Sequence, residues 1–453
     1  MNILIAGCGQ VGRSLAEQLN REGHEVTVMD VDYSAVEAAT AASDVIGFQG
    51  DCTSLSAQME AGIQDMDILI AATNQDEKNM LACLIAKKAG NCQTIARVRD
   101  PQYLDEIFFL REELGLSMSI NPERVAADDL VRVIQIPSAL EVDTFAKGKV
   151  SLIRLVIPEG SVLDGLYLKD YASKVGSAAL ICVVERGKEV TIPGGDFQLK
   201  AGDSISLTLS LADLNGLLQK TGIRAKKIKN VLIAGGGMIS YYLAKKLIEL
   251  KISVKIIEKN PKRCDELAEV LPKAMVICGD ATDKTLLLEE SIEDMDAVCC
   301  LMGQDEANIL LSLYISKISN AKKMIKIHRD SYEDMVGDLP VGTIISTKRI
   351  TAEYITRFVR SMQNSVGSNV EALYRLMDGR VEALEFNVGK ESQVTQASIK
   401  ELKIRKNTLI CCINRKGAII RPGGNDRIAA GDSVVVVTTE HGVNGIDDIL
   451  QKW

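Results

Sequence analysis

Aromatic residues are scarce in this chain, at 4% of 453 residues with a single tryptophan. A surface that stacks the bases of single-stranded nucleic acid needs more of them. Positive charge is also in deficit: 53 basic residues face 61 acidic ones, for a net charge of −8. That balance argues against a general affinity for nucleic acid or anionic lipid. Long hydrophobic runs are missing. The stretch Leu152–Ile157, interrupted by Arg154, falls far short of the ~20 residues that span a bilayer. The chain opens on a strand pattern at Asn2 with no basic flank, apolar run or cleavage site, so secretion is not expected. The eleven cysteines include no CxxC pair, which fits a reduced cytosolic protein better than a disulfide framework. Histidine is rare. His24, His328 and His441 have no matched partners in sequence and are expected to be structural or surface residues.

What is present is a repeat. Gly7-Cys8-Gly9-Gln10-Val11-Gly12 recurs as Gly235-Gly236-Gly237-Met238-Ile239-Ser240, and Asp30 recurs as Glu258, both at an offset of 228 residues. Gly50-Asp51, Gln75-Asp76-Glu77, Pro193-Gly194-Gly195 and Ala201-Gly202-Asp203 recur at an offset of 229. An offset this constant marks a tandem duplication. Each copy is long enough to hold its own cores, so the period is not that of a solenoid.

Within a copy the pattern changes partway. The runs NILIA, EVTVM, DVIGF, DILIA and TIARV read as buried parallel strands. Between them RSLAEQLNREG, YSAVEAATAA and EKNMLACLIAKKAG carry helical spacing, with Gly23 and Gly90 as C-terminal stops. Strand–helix alternation of this kind gives a doubly wound parallel sheet. Pro122–Gln135 reads as a further helix capped by Asn121. After Lys149 a strand over Leu152–Ile157, a short helix near Leu166–Lys174 and turns at Arg186-Gly187, Pro193-Gly194 and Ala201-Gly202-Asp203 describe a small α+β domain. The second copy repeats the plan, with boundaries near Lys226–Lys229 and Gly367–Ser368. The expected division is 1–140, 141–225, 226–368 and 369–453, with the basic cluster Arg224–Lys229 as a solvated hinge.

A glycine turn between strand and helix presents backbone N–H groups to a pyrophosphate. Here Asn2–Ala6 supplies the strand, Gly7, Gly9 and Gly12 the turn, and Gln10 and Val11 open onto the helix. Asp30 follows Gly7 by 23 residues, close to the spacing of the acid that binds ribose hydroxyls. Its charge repels a 2′-phosphate, so NAD is favoured over NADP. In the second copy Gly235, Gly237, Met238, Ile239 and Glu258 take these places. Ser240 replaces the third glycine, with modest strain expected, and Lys259 beside Glu258 could shift preference toward a phosphorylated ligand. Asp51 and Asp280 end the third strands, where each either accepts from an adenine amino group or caps the next helix. Arg97 ends the fifth strand and reaches either a phosphate or a surface ion pair; Lys326 or His328 is its counterpart. Asp76 and Asn79 begin a helix, where capping accounts for them. Cys299-Cys300 and Cys411-Cys412 lie in strands, where neighbours point to opposite faces and cannot chelate one metal. No catalytic or metal-binding constellation accompanies the turns.

Taken together, two fused units of this design resemble the TrkA family, the peripheral cytosolic regulatory subunits of Trk-type potassium uptake systems, built from paired RCK domains. The resemblance covers essentially the whole chain. It implies a Rossmann-like N-terminal and a small C-terminal domain in each unit, and regulation rather than catalysis. The loops Gly50–Thr53 and Gly279–Thr282 are similar to the family's adenine-side loop, which brings in Asp51, Cys52, Asp280 and Ala281 and favours the adenine reading. By the same resemblance Thr73 lines the nucleotide edge; Leu301–Gly303 lacks that threonine. The implied ligand is NAD(H), with ATP or ADP as alternatives. The implied partners are a TrkH-like membrane potassium-translocating subunit and further copies of the chain, as a dimer or tetramer, with no nucleic acid. The implied location is the cytoplasm, at the inner face of the cell membrane. A soluble dinucleotide sensor and a tandem NAD-dependent dehydrogenase are the alternatives.

Overall fold

The computed structural model describes residues 1–111, 113–145, 150–176, 179–209, 211–223, 227–336, 339–363, 370–377, 380–440, 443 and 445–451. The boundaries expected at Lys149, Arg224–Lys226 and Gly367–Ser368, and His441, lie outside the described residues. Among those described, no helix is long and apolar enough to cross a membrane.

The first sheet holds β1 (Asn2–Ala6), β2 (Glu25–Asp30), β3 (Ile46–Gln49), β4 (Ile68–Ala71), β5 (Gln93–Arg97) and β6 (Met118–Ile120). Their order is 3-2-1-4-5-6, all parallel. This is the doubly wound order whose ligands sit at the strands' carboxyl ends, where the winding reverses between β1 and β4. β1 and β4 are sealed on both faces, which is why they read as continuous apolar runs. Five of the six strands and three helices were legible as apolar runs and periods; β3, read as buried, is instead largely exposed at the sheet edge, and β6, three residues long, gave no signal. Gly23 and Gly90 both end their helices as expected, but only Gly23, with φ of +80°, does so in the left-handed region; Gly90 is the C-cap of helix Asp76–Ala89. Its φ is −116°, and a Cβ there would lie 2.2 Å from the Ile63 carbonyl oxygen; close packing explains it.

A small antiparallel sheet follows: β7 (Ala139–Phe145), β8 (Val150–Val156), β9 (Leu180–Arg186), β10 (Glu189–Thr191) and β11 (Ser204–Leu209), in the order 10-9-11-8-7. The second copy rebuilds both. Strands β12 (Asn230–Ala234), β13 (Ser253–Glu258), β14 (Met275–Cys278), β15 (Ala297–Cys300), β16 (Lys322–Lys326) and β17 (Thr343–Ile345) take the order 14-13-12-15-16-17. Strands β18 (Val370–Leu376), β19 (Val381–Asn387), β20 (Thr408–Arg415), β21 (Ala418–Ile420) and β22 (Ser433–Thr438) repeat the small sheet as 18-19-22-20-21.

The copies are not beads on a string. Helix Pro122–Gln135 starts as expected, its Asn121 side chain accepting from the Arg124 N–H at 2.7 Å. It then buries Ala126, Ala127, Leu130 and Ile134 in the core of the second copy, against Ile239, Leu243 and Leu247 of helix Met238–Glu249. Helix Thr347–Gln363 does the converse. Its Ala352, Ile355 and Val359 complete the core of the first copy beside Leu15, Ala16 and Leu19 of helix Gln10–Arg21. Arg360 donates to both carboxylate oxygens of Glu22, at 2.8 and 2.5 Å, across that seam.

Lys322 on β16 anchors the other seam. Its ammonium donates to the carbonyl oxygens of Val133, Ile136 and Pro137 at 2.9–3.1 Å and of Ala139 at 2.5 Å. It therefore caps the C-terminal end of the first copy's exchanged helix. Burial pushes its pKa down to about 7, which the carbonyl acceptors and the negative helix end oppose.

The two small sheets pack face to face around Phe145, Leu152, Val183, Met377, Ala383 and Val437. Cys182 and Cys411, equivalent positions in the two copies, are neighbours there, as residues near a pseudo-twofold axis are. Cys299 and Cys300 face opposite cores as expected. Cys411 and Cys412 do not: a register shift between Ile410 and Cys412 puts both in the same interface. A β-bulge breaks the alternation on which that expectation rested. In each small domain the acid of the Ala-Gly-Asp turn is buried and holds an arginine through two bonds: Arg186–Asp203 at 2.7 and 2.7 Å, and Arg415–Asp432 at 2.9 and 2.7 Å.

Two outcomes follow from these anchors. Lys322→Met leaves carbonyl oxygens at a buried helix end without a donor, so it should cost about 1–3 kcal/mol; the check is the thermal midpoint, and an unchanged midpoint would show that the cap contributes nothing. For Asp432, burial raises the pKa but the Arg415 guanidinium and the Ala429 N–H outweigh it, holding the carboxyl below its ordinary range. A depressed carboxyl stabilises the fold above its unfolded pKa, near 4, and loses that contribution as pH falls through the folded value. The stability gap between parent and Asp432→Asn, about 1–3 kcal/mol at pH 7, should therefore close as denaturation is measured at successively lower pH below ~4.

Candidate functional site

The carboxyl ends of β1, β2, β4 and β5 bring the expected residues together. Gly7 has φ of +107°, and a Cβ there would lie 2.9 Å from the Thr73 nitrogen. A Cβ on Gly12 would lie 1.8 Å from the Gly7 carbonyl oxygen, whereas Gly9 faces open space. Gly9 is the N-cap of helix Gln10–Arg21 and makes no side-chain cap bond. The helix start thus offers its N–H groups and its positive dipole end to whatever enters. Gln10 and Val11 contribute backbone at that start; the same holds for Met238 and for Ile239, whose side chain is in the core.

Asp30 ends β2 beside this turn. Its carboxylate accepts from the Cys8 N–H at 2.7 Å and the Asp32 N–H at 3.1 Å. Two of roughly four lone-pair positions remain for ligand hydroxyls. Burial first, and the Asp30 charge next, push the Cys8 thiol up to about 12, so it is no nucleophile. Asp51 does not cap the next helix. Ser54 does that, accepting from the Ala57 N–H at 3.4 Å, while Asp51 folds its own loop by accepting from the Thr53 N–H and hydroxyl at 2.9 and 2.7 Å. Both bonds, the backbone one first, hold its pKa below the usual carboxylate range. Asp280 and Thr282 repeat this loop, and there Asp283 is the cap. Cys52 and Ala281 are buried beneath these loops, and burial pushes the Cys52 thiol up to about 11.

Asn79 is buried and ties the edge together. Its side-chain oxygen accepts from the Thr73 N–H and hydroxyl, at 2.9 and 2.7 Å, and its amide donates to the Thr73 and Arg97 carbonyls. Asn308 makes the matching backbone bonds to Met302 and to the Lys326 carbonyl, without the hydroxyl bond, which settles the register in favour of Lys326 over His328 as counterpart of Arg97. Neither Asn79 nor Asp76 caps its helix. Asp76 accepts from the Arg99 and Asp100 N–H groups at 2.8 Å, and Asp305 accepts from those of His328 and Arg329. His328 thereby has a partner after all, its Nδ1 lying 3.0 Å from Asp305; His24 is buried, and burial lowers its pKa. Arg97 forms an ion pair with Glu123 at 3.6 Å. Burial lowers the arginine's pKa and Glu123 opposes it.

The second cleft differs. Ser240 is buried, and its hydroxyl donates to the Gly235 carbonyl oxygen at 2.6 Å, the bond that compensates for a missing glycine. Glu258 accepts from the Gly236 and Asn260 N–H groups at 2.6 and 2.8 Å. Lys259 is exposed and lies toward Asp280, whose pKa its charge helps to lower, but it does not line the cavity at the glycine turn. The cations that do are Lys262 and Arg263, with Gly236, Gly237, Glu258, Asn260 and Glu266, around about 290 Å³. Arg263 donates to the Gly236 carbonyl at 2.9 Å. Its counterpart in the first copy is Ala35, so the motif alone gave no warning. A cavity of about 250 Å³ beside the first turn is lined by Gln10, Arg13, Ser14 and Glu17 and, from the second copy, by His328, Arg329 and Lys348. Among the described residues no cluster of His, Cys, Asp or Glu is placed to hold a metal ion.

The TrkA-N domain model matches residues 3–122 and 231–347, and the TrkA-C domain model matches 152–222 and 383–451. This chain belongs to the TrkA family. It is 30% identical to the Trk system potassium uptake protein TrkA homolog of Archaeoglobus fulgidus, over all of both chains. It is 31% identical to the Trk system potassium uptake protein TrkA of Haemophilus influenzae, over 99% of this chain and 96% of that one. With the TrkA of Halomonas elongata the identity is 32%, over 97% and 94%. The fold is shared with the structure described as the GsuK channel bound to NAD, at a TM-score of 0.63 and 17% identity over 97% of this chain and 77% of that one. It is shared equally with the GsuK RCK domain, at 0.63 over 97% and 92%. Family membership makes this a regulatory protein of Trk potassium uptake and sets the dehydrogenase alternative aside.

The contrast between Gly12 and Ser240 gives a test. Gly12→Ala should disrupt the first turn, because the added carbon collides with backbone. Ser240→Ala keeps the carbon but strips a buried carbonyl of its donor, a loss of about 1–3 kcal/mol. Thermal melts of the two variants check this, and a Gly12→Ala protein as stable as the parent would show that the turn can open.

Proposed function

We propose that adenine nucleotides, NAD(H) first and ATP or ADP as alternatives, bind at the two glycine turns and set the arrangement of a homo-oligomer, dimer or tetramer. That assembly docks on a membrane potassium-translocating subunit of the TrkH kind, at the inner face of the cell membrane, and controls its flux. The four-domain division near 140, 225 and 368 is part of this reading; β7, starting at Ala139, straddles the first line.

One observation carries the proposal. The cavity beside the first turn has walls from both copies, Arg13 and Gln10 on one side and Arg329 and Lys348 on the other. A ligand whose phosphates reach across it interacts differently with each relative placement of the copies, and differential affinity is what shifts a two-state assembly. The residues fit a dinucleotide: an uncapped helix start at Gly9, open space over it, and Asp30 with lone pairs to spare. Bound NAD(H) would place its pyrophosphate at Gly9–Gly12, its ribose at Asp30 and its adenine along Asp51–Cys52; Glu258 and Asp280–Ala281 correspond in the second cleft. Thr73 and Arg97 would line the edge. The binding of NAD by the GsuK channel, whose fold this chain shares, supports the choice of ligand.

Asp30→Ala should weaken NADH binding by about 1–3 kcal/mol, the usual loss for a hydrogen bond to a charged group. Calorimetry on the full chain reads this, with Glu258→Ala reporting the second cleft separately; equal affinity in parent and Asp30→Ala would remove the assignment. In vesicles carrying the translocating subunit, nucleotide should change potassium flux only with this chain added. Flux that responds equally without it would favour the soluble-sensor reading.

A further inference from the structure

The second cleft carries two cysteines that the first lacks. Cys278 closes β14, one residue before Gly279-Asp280, and is the register partner of Glu258 on β13. Cys264 lies in helix Pro261–Val270, and its thiol donates to the Glu258 carbonyl oxygen at 3.2 Å. The Cys278 thiol is near enough to that of Cys264 to raise its pKa. Access divides them. Cys264 is buried, whereas Cys278 is exposed, the single exposed cysteine of the eleven. Cys182 and Cys411 are also in contact, but both are buried between the small sheets. In the first copy Val36 and Gln49 stand where Cys264 and Cys278 stand in the second.

We propose that Cys264 and Cys278 form an oxidisable pair, closed to a disulfide by a peroxide, that ties together two walls of the second cleft. The accessible Cys278 thiolate attacks one peroxide oxygen; the O–O bond breaks, hydroxide leaves and is protonated, and Cys278 becomes a sulfenic acid. The Cys264 sulfur then attacks that of Cys278. The S–S bond forms, the S–O bond breaks, and the departing hydroxyl takes the Cys264 proton as water. Two thiols and one hydrogen peroxide give one disulfide and two waters, with two electrons passing from sulfur to oxygen. Burial first, and the Cys278 thiol next, push Cys264 up to about 11, which suits the resolving rather than the attacking role.

The bond has a consequence at the cleft, which rests on the nucleotide reading above. Arg263, across the glycine turn, is the neighbour of Cys264, and Asp280 lies two residues beyond Cys278. Closing the disulfide also removes the thiol hydrogen bond to the Glu258 carbonyl. Acid, arginine and adenine-side loop are then held by one covalent link.

The test uses the full chain treated with hydrogen peroxide, digested without reduction and examined by mass spectrometry. A Cys264–Cys278 cross-linked peptide is expected, lost on adding dithiothreitol and absent from Cys278→Ser and Cys264→Ala. No cross-link in the parent, with Cys278 overoxidised instead, would overturn the pair. The second readout is NADH and ATP affinity in Asp30→Ala protein, where the second cleft dominates. Oxidation should change it at least threefold, and not at all once Cys278→Ser is added. A complete cross-link with unchanged affinity overturns the coupling to the cleft. If reduced Asp30→Ala protein binds neither nucleotide, the nucleotide reading of the second cleft fails while the cross-link still decides the thiol chemistry.

Discussion

The structure rests on the burial of two exchanged helices. Pro122–Gln135 carries its apolar stripe into the second copy and Thr347–Gln363 carries its own into the first. Neither glycine-turn domain completes its core alone. Full burial of a leucine or isoleucine side chain is worth about 1.5–3 kcal/mol, and several such residues cross each seam. The bidentate Arg360–Glu22 pair and the Lys322 cap then fix how each helix lies. Polar groups this shielded stabilise one placement rather than a range of them.

That exchange decides what the clefts can do. A doubly wound sheet with a glycine turn holds a nucleotide by itself, and nothing about such a site conveys the binding event elsewhere. Here the helix that starts at Gly9 is covered by the partner copy's exchanged helix, and the neighbouring cavity is completed by Arg329 and Lys348. The glycine turn and the copy–copy contacts therefore share the same elements. The small sheets supply the fixed point, because their interface is apolar and centred on the pseudo-twofold at Cys182 and Cys411.

The two clefts share a plan without sharing chemistry. The first has three glycines and places Asp30 beside an open helix start. The second substitutes a hydroxyl for the missing hydrogen at Ser240, adds Arg263 over the turn and sets a thiol pair behind Glu258. Duplicated halves that kept the sheet order but changed these contacts present different charge to a ligand.

Much of this was legible in the residues. The repeat, the strand runs, the glycine turns and the acids at the ends of β2 and β13 follow from local rules: alternation, backbone sterics and chain spacing act within a few residues. Other features depend on partners more than twenty residues away, brought close only by the fold. That Asp76 receives the loop after β5, that Arg97 meets Glu123, that Cys411 and Cys412 share a face through a bulge, and that Gly90 is needed for packing could not be read from neighbours in sequence. The chain determined by itself that there are two copies of a nucleotide-type fold. Only tertiary structure decided that they trade helices, because an amphipathic helix specifies that its stripe must be buried but not whose core will bury it.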